Sequence, residues 1–416
     1  MAEGKGRVCV TGGTGFLGSW IIKRLLEDGY AVNTTIRSDP GRKRDVSFLT
    51  NLPGASEKLK IFNADLSDPE SFDPAVEGCV GIFHTATPID FAVNEPEEVV
   101  TKRAIDGALG IMKAGLKAKT VKRVVYTSSG STVSFSSLEE KDVVDESVWS
   151  DVDMLRSVKP FGWSYAVSKV LTEKAVLEFG EHNGLEVATV IAPFIVGPFV
   201  CPKLPDSIEK ALLMVLGKKE EIGVIRYHMV HVDDVARAHI FLLEHPNPKG
   251  RYNCSPFIVP IEEMGELLSA KYPEFQLPTV DELKGIKGAK QPHLTSKKLV
   301  DAGFEFKYSL EDMFQDAIEC CKEKGYNNIE DMGCFCSRAP SVGSCHHHHH
   351  GDGGGGGGCG GGSGGGGGFK LSTAISGRVF PRSGTLMILL VPPLAAVVVF
   401  RFWDHRPVPK GTIFWR

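Results

Sequence analysis

Residues 11–18 read Thr11-Gly12-Gly13-Thr14-Gly15-Phe16-Leu17-Gly18, and they join a short apolar strand, Arg7–Val10, to a helical pattern. Gly12 permits a tight turn, Gly15 lets backbone approach a pyrophosphate, and Gly18 lets the helix pack on the strand. The start of the helix offers free N–H groups and a positive dipole end to phosphates. We therefore predict a dinucleotide-binding βαβ unit, with cofactor contacts from Gly12, Gly15, Phe16, Leu17 and Gly18.

The end of the second predicted strand indicates which dinucleotide binds. An NAD site usually places Asp or Glu about 20 residues after the glycines, against the ribose 2′-hydroxyl. Here the strand ends in Ile36-Arg37-Ser38, and Arg42, Lys43 and Arg44 follow. A guanidinium suits a 2′-phosphate, which it can bind with two parallel hydrogen bonds. The sequence predicts NADP(H), with Arg37 as the main contact to the 2′-phosphate and Arg44 as a second cofactor contact.

The body of the chain alternates between strand and helix signals, which predicts an α/β fold with a Rossmann-type, doubly wound parallel sheet. Further strands are expected at 31–36, 59–63, 80–85, 123–128 and 187–191, and helices at 16–28, 97–118 and 164–182. We expect residues 1–193 to form the NADP-binding domain, with some later segments returning to it. Residues 194–326 are expected to form mainly a smaller, discontinuous substrate-binding lobe.

Composition changes after about Tyr326. Five histidines at 346–350, a glycine tract at 353–368 and an apolar run at 386–400 follow. The glycine tract has few side chains to bury, so a low-complexity, disordered tail is expected over 327–416. The apolar run has 15 residues, is interrupted by Pro392-Pro393 and is shorter than the ~20 of a membrane-spanning helix. The His and Cys spacing repeats no zinc motif, so no metal is expected.

The net charge limits which partners are expected, and the cysteines indicate the cell compartment. The formal net charge is −4 without a sustained basic block, so neither nucleic acid nor a membrane surface is expected as a partner. The main body carries six cysteines in apolar or helical contexts, which favours free thiols in a reducing cytoplasm. No secretory leader pattern opens the chain. We expect a cytoplasmic monomer that acts on a small molecule.

A tyrosine and a lysine one helical turn apart are the catalytic candidates. Tyr165 and Lys169 begin a predicted helix that follows the strand ending in Thr127-Ser128-Ser129. A neighbouring ammonium is expected to lower the phenol pKa from its usual ~10, which assists proton transfer. A serine hydroxyl orients the substrate carbonyl, and spacing alone does not choose between Ser128 and Ser129. The set predicts hydride delivery to a ketone carbon while Tyr165 donates a proton to its oxygen.

These features resemble the extended short-chain dehydrogenases, and within them the dihydroflavonol reductase branch of plants. The resemblance covers about residues 6–326. It is carried by the glycine pattern, the Tyr165/Lys169 pair, Asp65-Leu66, Phe83-His84-Thr85-Ala86-Thr87-Pro88, Asp145-Glu146-Ser147 and Val230-His231-Val232-Asp233-Asp234. Reductases of isoflavonoid ketones within that branch are similar also at Lys159-Pro160-Phe161-Gly162-Trp163 and Phe199-Val200-Cys201-Pro202-Lys203.

The resemblance implies further residue roles. Ser129 is the catalytic serine; Asp65 and Leu66 border the adenine, and Thr85 and Ala86 the ribose and diphosphate. Residues Pro193 to Val196 lie by the nicotinamide carboxamide. Dihydroflavonol reductases typically carry Asn at position 134 and Gln at 228, whereas this chain has Ser134 and His228. These departures favour a phenolic isoflavanone as substrate, with His228 either a substrate contact or a packed strand residue.

Three other functions are consistent with parts of the sequence. They are a dihydroflavonol 4-reductase activity, a nucleotide-sugar epimerase of the same fold, and a regulator that binds NADP without chemistry. An epimerase would need the acid that Arg37 replaces, and a regulator would usually lack the Tyr/Lys pair. Asp233 and Asp234 are expected to be N-caps of a helix rather than catalytic acids.

Overall fold

The computed structural model describes residues 5–37, 44–88, 93–136, 142–288 and 291–326, and two short strands at 387–389 and 398–400. The chain divides into two units, Met1–Val342 and Gly343–Arg416. The first unit contains all the elements that build the site.

The strands of the first unit are β1 Arg7–Thr11, β2 Ala31–Ile36, β3 Leu59–Asn63, β4 Gly81–His84, β5 Arg123–Ser129, β6 Val143–Val144, β7 Glu186–Ala192, β8 Phe194–Val196, β9 Arg226–His231, β10 Gly250–Asn253, β11 Phe257–Pro260 and β12 His293–Leu294. Seven of them form a parallel sheet in the order β10-β7-β5-β4-β1-β2-β3. A smaller sheet has the order β11-β9-β8, and β12 pairs with β6.

Helices connect these strands. They are α1 Phe16–Glu27, α2 Ser47–Thr50, α3 Ala55–Lys58, α4 Asp73–Val76, α5 Glu97–Ala118, α6 Val152–Val158, α7 Trp163–Asn183, α8 Asp206–Ala211, α9 Val232–Glu244, α10 Ile261–Lys271, α11 Val280–Lys284, α12 Lys297–Asp301 and α13 Leu310–Glu323. The predicted parallel α/β fold is confirmed, and the predicted strands and helices differ from the observed ones by a residue or so at their ends.

Burial explains why these segments form a doubly covered sheet. The central strands are rich in Val and Ile and buried on both faces, as parallel strands flanked by helices require. One apolar cluster joins α1 and α9 to one face, and another joins α4 and α5 to the opposite face. A third cluster surrounds β8 and β9 with α8, α10 and α13.

The order of the strands determines where a ligand can bind. After β3 the chain crosses to the other side of β1 and adds β4, so the direction of winding reverses between β1 and β4. Open α/β sheets bind ligands in the crevice outside the carboxyl ends of the strands at such a point. Here those ends are Thr11 and His84, which face each other across the β1–β4 pair.

In the second unit the described residues are β13 Met387–Leu389 and β14 Val398–Phe400, which pair antiparallel. Both strands lie in the apolar run at the end of the segment for which a disordered tail is expected. The rest of residues 327–416, including the histidine run and the glycine tract, lies outside the described residues.

Candidate active site

The glycine turn has the backbone geometry that the sequence predicts. Gly12 has a φ of 72°, and a Cβ there would lie 3.1 Å from the Ala86 Cα. A Cβ on Gly18 would lie 2.4 Å from the Gly12 carbonyl oxygen, so larger residues cannot fit without a shift. Among the described residues, no side chain caps the α1 N-terminus at Gly15, and the first turn carries no acid. This cradle fits a pyrophosphate, because backbone N–H groups face it without a competing carboxylate.

Thr11 ties the loop after β4 to the glycine turn. Its Oγ1 lies 2.8 Å from His84 Nδ1 and accepts hydrogen bonds of 3.2 Å from the backbone N–H groups of Thr85 and Ala86. The Thr85 hydroxyl donates to the Thr11 carbonyl at 2.6 Å. Burial lowers the pKa of His84 to about 3, with a further contribution from the Lys169 charge, so the imidazole is neutral. Thr85 and Ala86 thus lie at the switch point. Thr11 and His84 belong to motifs quoted from the sequence, but no role was predicted for either of them.

The side chains expected at the adenosine end lie around the carboxyl ends of β2 and β3. Arg37 is exposed. Hydrogen bonds from Ser67 lower the pKa of Asp65, and the charges of Arg37 and Arg103 lower it further. Arg44 donates to Thr14 Oγ1 at 3.2 Å, which brings a second guanidinium to the glycine turn. Arg42 and Lys43 lie outside the described residues.

Leu66 lines a cleft of about 310 Å³ between the end of β3 and helix α5. Its side chain packs against α5 at Gly107, where a Cβ would lie 2.6 Å from Leu66 Cδ2. Asp65 accepts hydrogen bonds from Ser67, and the short turn at Pro69 follows Asp68 without a side-chain cap among the described residues. The Asp65 carboxylate therefore stabilises its own turn and leaves the start of the helical turn at Pro69 uncapped.

The two serines at the end of β5 have different partners. Ser128 is buried and donates to Glu173 Oε2 at 2.6 Å. The Ser129 hydroxyl forms a hydrogen bond with the Tyr165 side chain. Because successive strand residues point to opposite faces, only one of the pair can face the tyrosine. Ser129 is therefore the serine that contacts Tyr165, and its catalytic role stays a prediction.

The Lys169 ammonium forms its hydrogen bonds with groups at the end of β5 and in the loop after β4. Lys169 Nζ donates to the Thr127 carbonyl at 2.6 Å and to the Tyr126 hydroxyl at 2.9 Å, with Thr87 Oγ1 at 3.4 Å. Burial lowers the pKa of Lys169 to about 7. Burial raises the pKa of Tyr165, and the Ser129 hydrogen bond opposes that rise. The expected lowering of the Tyr165 pKa by Lys169 was therefore wrong for this geometry, and Tyr165 keeps its proton as a phenol.

The remaining predicted cofactor residues lie after β7. Pro193 lies beside the turn that follows Ser129, since a Cβ on Gly130 would be 3.4 Å from Pro193 Cα. Val196 is fully buried in the core around β8 and β9. Its side chain packs in that core, so a contact with the nicotinamide carboxamide would come from backbone.

The two predicted substrate positions differ in exposure. Ser134 is partly buried and donates to the Gly130 carbonyl at 2.8 Å, one turn after Ser129. His228 is 2% exposed within β9, and its Nδ1 lies 3.3 Å from Ser255 Oγ. Burial lowers the pKa of His228 to about 4, so its ring is neutral.

The acidic pair that opens α9 has a structural function other than capping. The N-cap is His231, whose Nδ1 accepts from the Asp233 N–H at 3.1 Å. The Asp233 carboxylate accepts from Trp20 Nε1 at 2.9 Å and pairs with Arg24, which joins α9 to α1. The expectation that Asp233 and Asp234 are N-caps was wrong, because both lie within the first turn and bind side chains and backbone of other elements.

Neither a metal-binding cluster nor a membrane-spanning helix occurs among the described residues. No group of His, Cys, Asp or Glu in that part of the chain has a geometry suited to holding a metal ion. No helix there has both the length and the apolar character needed to cross a membrane.

The chain is similar to known proteins over most of its described length. Residues 8–255 match the family described as NAD dependent epimerase/dehydratase. The vestitone reductase of Medicago sativa is 79% identical over 326 residues, which are 78% of this chain and 100% of that protein. The dihydroflavonol 4-reductase of Arabidopsis thaliana is 46% identical over 328 residues, covering 78% and 85%. The crystal structure of alfalfa vestitone reductase superposes with a TM-score of 0.72 at 75% identity, covering 77% of this chain and all of the other.

Proposed function

The chain belongs to the NAD dependent epimerase/dehydratase family, and on that premise we propose that it reduces a ketone of a flavonoid-type substrate with NADPH. The observation that carries the chemistry is the Ser129–Tyr165 hydrogen bond beside the buried ammonium of Lys169. The preferred substrate in this proposal is an isoflavanone. The 79% identity to a vestitone reductase along that protein's whole length supports this choice.

Each side chain of the set has one task in the proposed reaction. NADPH, when bound, supplies the hydride that reaches the carbonyl carbon. Tyr165 donates its phenol proton to the carbonyl oxygen, and its raised pKa keeps that proton in place until the oxygen becomes basic. Ser129 holds the same oxygen by a hydrogen bond. Lys169 holds the nicotinamide ribose and supplies positive charge next to the developing alkoxide.

The proposed cofactor contacts follow the crevice. Gly12, Gly15, Phe16, Leu17 and Gly18 supply the diphosphate cradle, and Thr85 and Ala86 close it. Asp65 and Leu66 border the adenine. The nicotinamide carboxamide lies beside residues Pro193 to Val196. Arg37 and Arg44 bind the 2′-phosphate. The position of Arg37 at the end of β2 supports that choice, as does the absence of an acid there.

Arg37→Glu should invert the cofactor preference from NADPH towards NADH. The change replaces a partner of the 2′-phosphate with a repelling carboxylate. Steady-state kcat/KM for both cofactors measures it, with Arg44→Glu as the matched variant. An unchanged ratio in Arg37→Glu together with a fall in Arg44→Glu would move the role to Arg44. An unchanged ratio in both variants would move the role to Arg42 or Lys43, or end the NADP assignment.

Ser129→Ala should lower kcat and leave the affinity for NADPH nearly intact, because the hydroxyl contacts Tyr165 and, in the proposed complex, the reacting carbonyl rather than the cofactor. Ser128→Ala is the matched control, since it removes the neighbouring hydroxyl from the buried Glu173 contact. It should reduce thermal stability and cost less turnover than Ser129→Ala. If Ser128→Ala lost more turnover than Ser129→Ala at equal cofactor affinity, the assignment of the serine would be wrong.

The substrate-binding surface is proposed to come mainly from residues 194–326, with residues 1–193 binding the cofactor. A separate apolar core around β8 and β9 supports the division, and β10, which joins the large sheet, belongs with the cofactor domain. Ser134 and His228 are the proposed substrate positions. We also propose a cytoplasmic monomer, which is consistent with six described cysteines that are all free and buried.

The proposal is tested by NADPH oxidation, followed by absorbance, with vestitone, other isoflavanones and dihydroflavonols as substrates. We expect the highest kcat/KM for an isoflavanone. A higher value for a dihydroflavonol would favour the 4-reductase activity. The 46% identity to such an enzyme is the reason for including this substrate. Tightly bound NAD that does not exchange, together with turnover of a nucleotide sugar, would indicate an epimerase. NADPH binding without turnover of any ketone would indicate a regulator.

Deleting residues 327–416 should leave turnover and melting temperature nearly unchanged, because every proposed site residue lies upstream. The match to vestitone reductase spans 326 residues, which is that protein's full length. A deletion that also removes Tyr326 is the matched control. Tyr326 is 7% exposed and its hydroxyl accepts from the Leu204 N–H at 3.1 Å, so its loss should cost about 3–5 kcal/mol of stability. Equal, large falls in melting temperature for both deletions would contradict this.

A further inference from the structure

One buried carboxylate lies under the proposed site without a role in the reaction described above. Glu173 is 0% exposed and lies on α7, one turn after Lys169. Its Oε2 accepts from Ser128 Oγ at 2.6 Å, and its Oε1 accepts from Thr189 Oγ1 at 2.5 Å. Carboxylates are rarely fully buried unless they are paired and hydrogen-bonded. Burying Glu173 costs free energy, and an apolar residue in a purely structural role would avoid that cost.

Arg251 connects Glu173 to Thr132, which follows Ser129 in the chain. Its Nε lies 3.2 Å from Glu173 Oε1, and its Nη2 donates to Thr132 Oγ1 at 2.9 Å. Ser128 precedes Ser129 and Thr132 lies in the turn that follows it. The backbone on both sides of Ser129 is therefore held by one network centred on Glu173.

Glu173 and Lys169 lie one turn apart on the same buried stretch of α7, so the Glu173 charge favours the Lys169 ammonium. Burial lowers the pKa of Lys169 to about 7, and Glu173 is the charge that opposes this effect. Among the described residues, the other titratable or charged groups facing this region are His84 from β4, Tyr126 from β5, Tyr165 on α7 and Arg251 from β10. His84 is neutral and Tyr126 keeps its proton, because burial lowers the pKa of the first and raises that of the second. Arg251 is positive and cannot favour an ammonium.

We propose that Glu173 is the positioning residue of this site, whose carboxylate keeps Lys169 protonated and whose hydrogen bonds hold Ser129 beside Tyr165. The expected effect of Glu173 on turnover rests on the proposed function. Its effect on Lys169 ionisation does not depend on which ketone, if any, is reduced.

Glu173→Gln is the direct test, because it removes the charge and nearly preserves the shape. The ionisation of Lys169 is followed by NMR of protein labelled at the lysine Cε, with Lys169→Met to assign the signal. We expect the titration midpoint to fall by at least about one pH unit, since an opposite charge nearby favours the charged form. The alkaline limb of kcat/KM for ketone reduction should move to lower pH by the same amount, because the active ammonium exists only below the pKa.

Thr189→Val is the matched control, since it removes one hydrogen bond to Glu173 and leaves the charge. Its titration midpoint should stay at the wild-type value, and Glu173→Asp should restore most of the shift. If Glu173→Gln does not fold because Arg251 is left unpaired, Glu173→Gln with Arg251→Met removes both charges and takes its place. A folded variant with the wild-type midpoint and pH profile would overturn the inference. A wild-type protein that reduces no ketone would defeat the proposed function, and the titration would still decide the effect of Glu173 on Lys169.

Discussion

Tyr165→Phe should fold, bind NADPH and lose turnover by ~10²–10⁴, the usual contribution of a positioned general acid. The substitution removes one hydroxyl and keeps the ring, which lies in the first turn of α7. The lost group is the partner of the Ser129 hydroxyl and the source of the proton for the carbonyl oxygen. Single-turnover hydride transfer, measured with saturating NADPH, isolates this effect from product release.

Tyr126→Phe is a matched control, because it removes the other phenol of the site. Tyr126 is buried and accepts from Lys169 rather than facing Ser129, so its loss should cost less turnover than that of Tyr165. Hydride transfer by Tyr165→Phe within about threefold of wild type, at unchanged cofactor affinity, would end the proton-donor assignment because a general acid contributes far more.

Lys169→Met should lower both turnover and affinity for NADPH. The ammonium donates to Tyr126 and Thr127 and, in the proposed complex, holds the nicotinamide ribose. Losing a charged hydrogen bond costs about 1.5–3 kcal/mol, which is roughly a 10- to 100-fold loss of cofactor affinity. The rate should fall as well, because positive charge near the developing alkoxide is also lost.

Titration of NADPH fluorescence and single-turnover rates separate the two parts of this effect. Lys174→Met is the control, since that lysine lies on the same helix with its ammonium 5.0 Å from the centre of the Trp149 ring. It should leave both quantities near the wild-type values. If Lys169→Met bound NADPH as wild type does and lost only turnover, Lys169 would not be a ribose contact.

Local patterns allowed much of the site to be predicted. The turn at 11–18 specifies its own geometry, because the positive φ at Gly12 and the crowded position of Gly18 both require glycine. Tyr165 and Lys169 are one turn apart on a helix whose limits the sequence also predicts. The parallel sheet follows from alternating strand and helix signals, since each pair of strands needs a covering helix.

The parts that sequence reasoning missed depend on contacts between distant residues. Ser128 and Ser129 occupy opposite faces of β5, and only the packing of α7 decides which face meets Tyr165. The Glu173–Arg251 pair joins residues 78 positions apart, so no local pattern indicates it. Glu173 does lie one turn after Lys169, and that spacing is a signal that could have identified it. The pKa of Tyr165 was predicted in the wrong direction because burial is a tertiary property.

Isotope tracing from NADPH deuterated at C4 on the transferred face to an isoflavanone tests the central claim most directly. The account predicts an alcohol that carries one deuterium on the former carbonyl carbon, formed at a rate that matches NADPH oxidation. Tyr165→Phe should give the same labelled alcohol far more slowly. A protein that binds NADPH and forms no deuterated alcohol from any isoflavanone or dihydroflavonol would contradict the account.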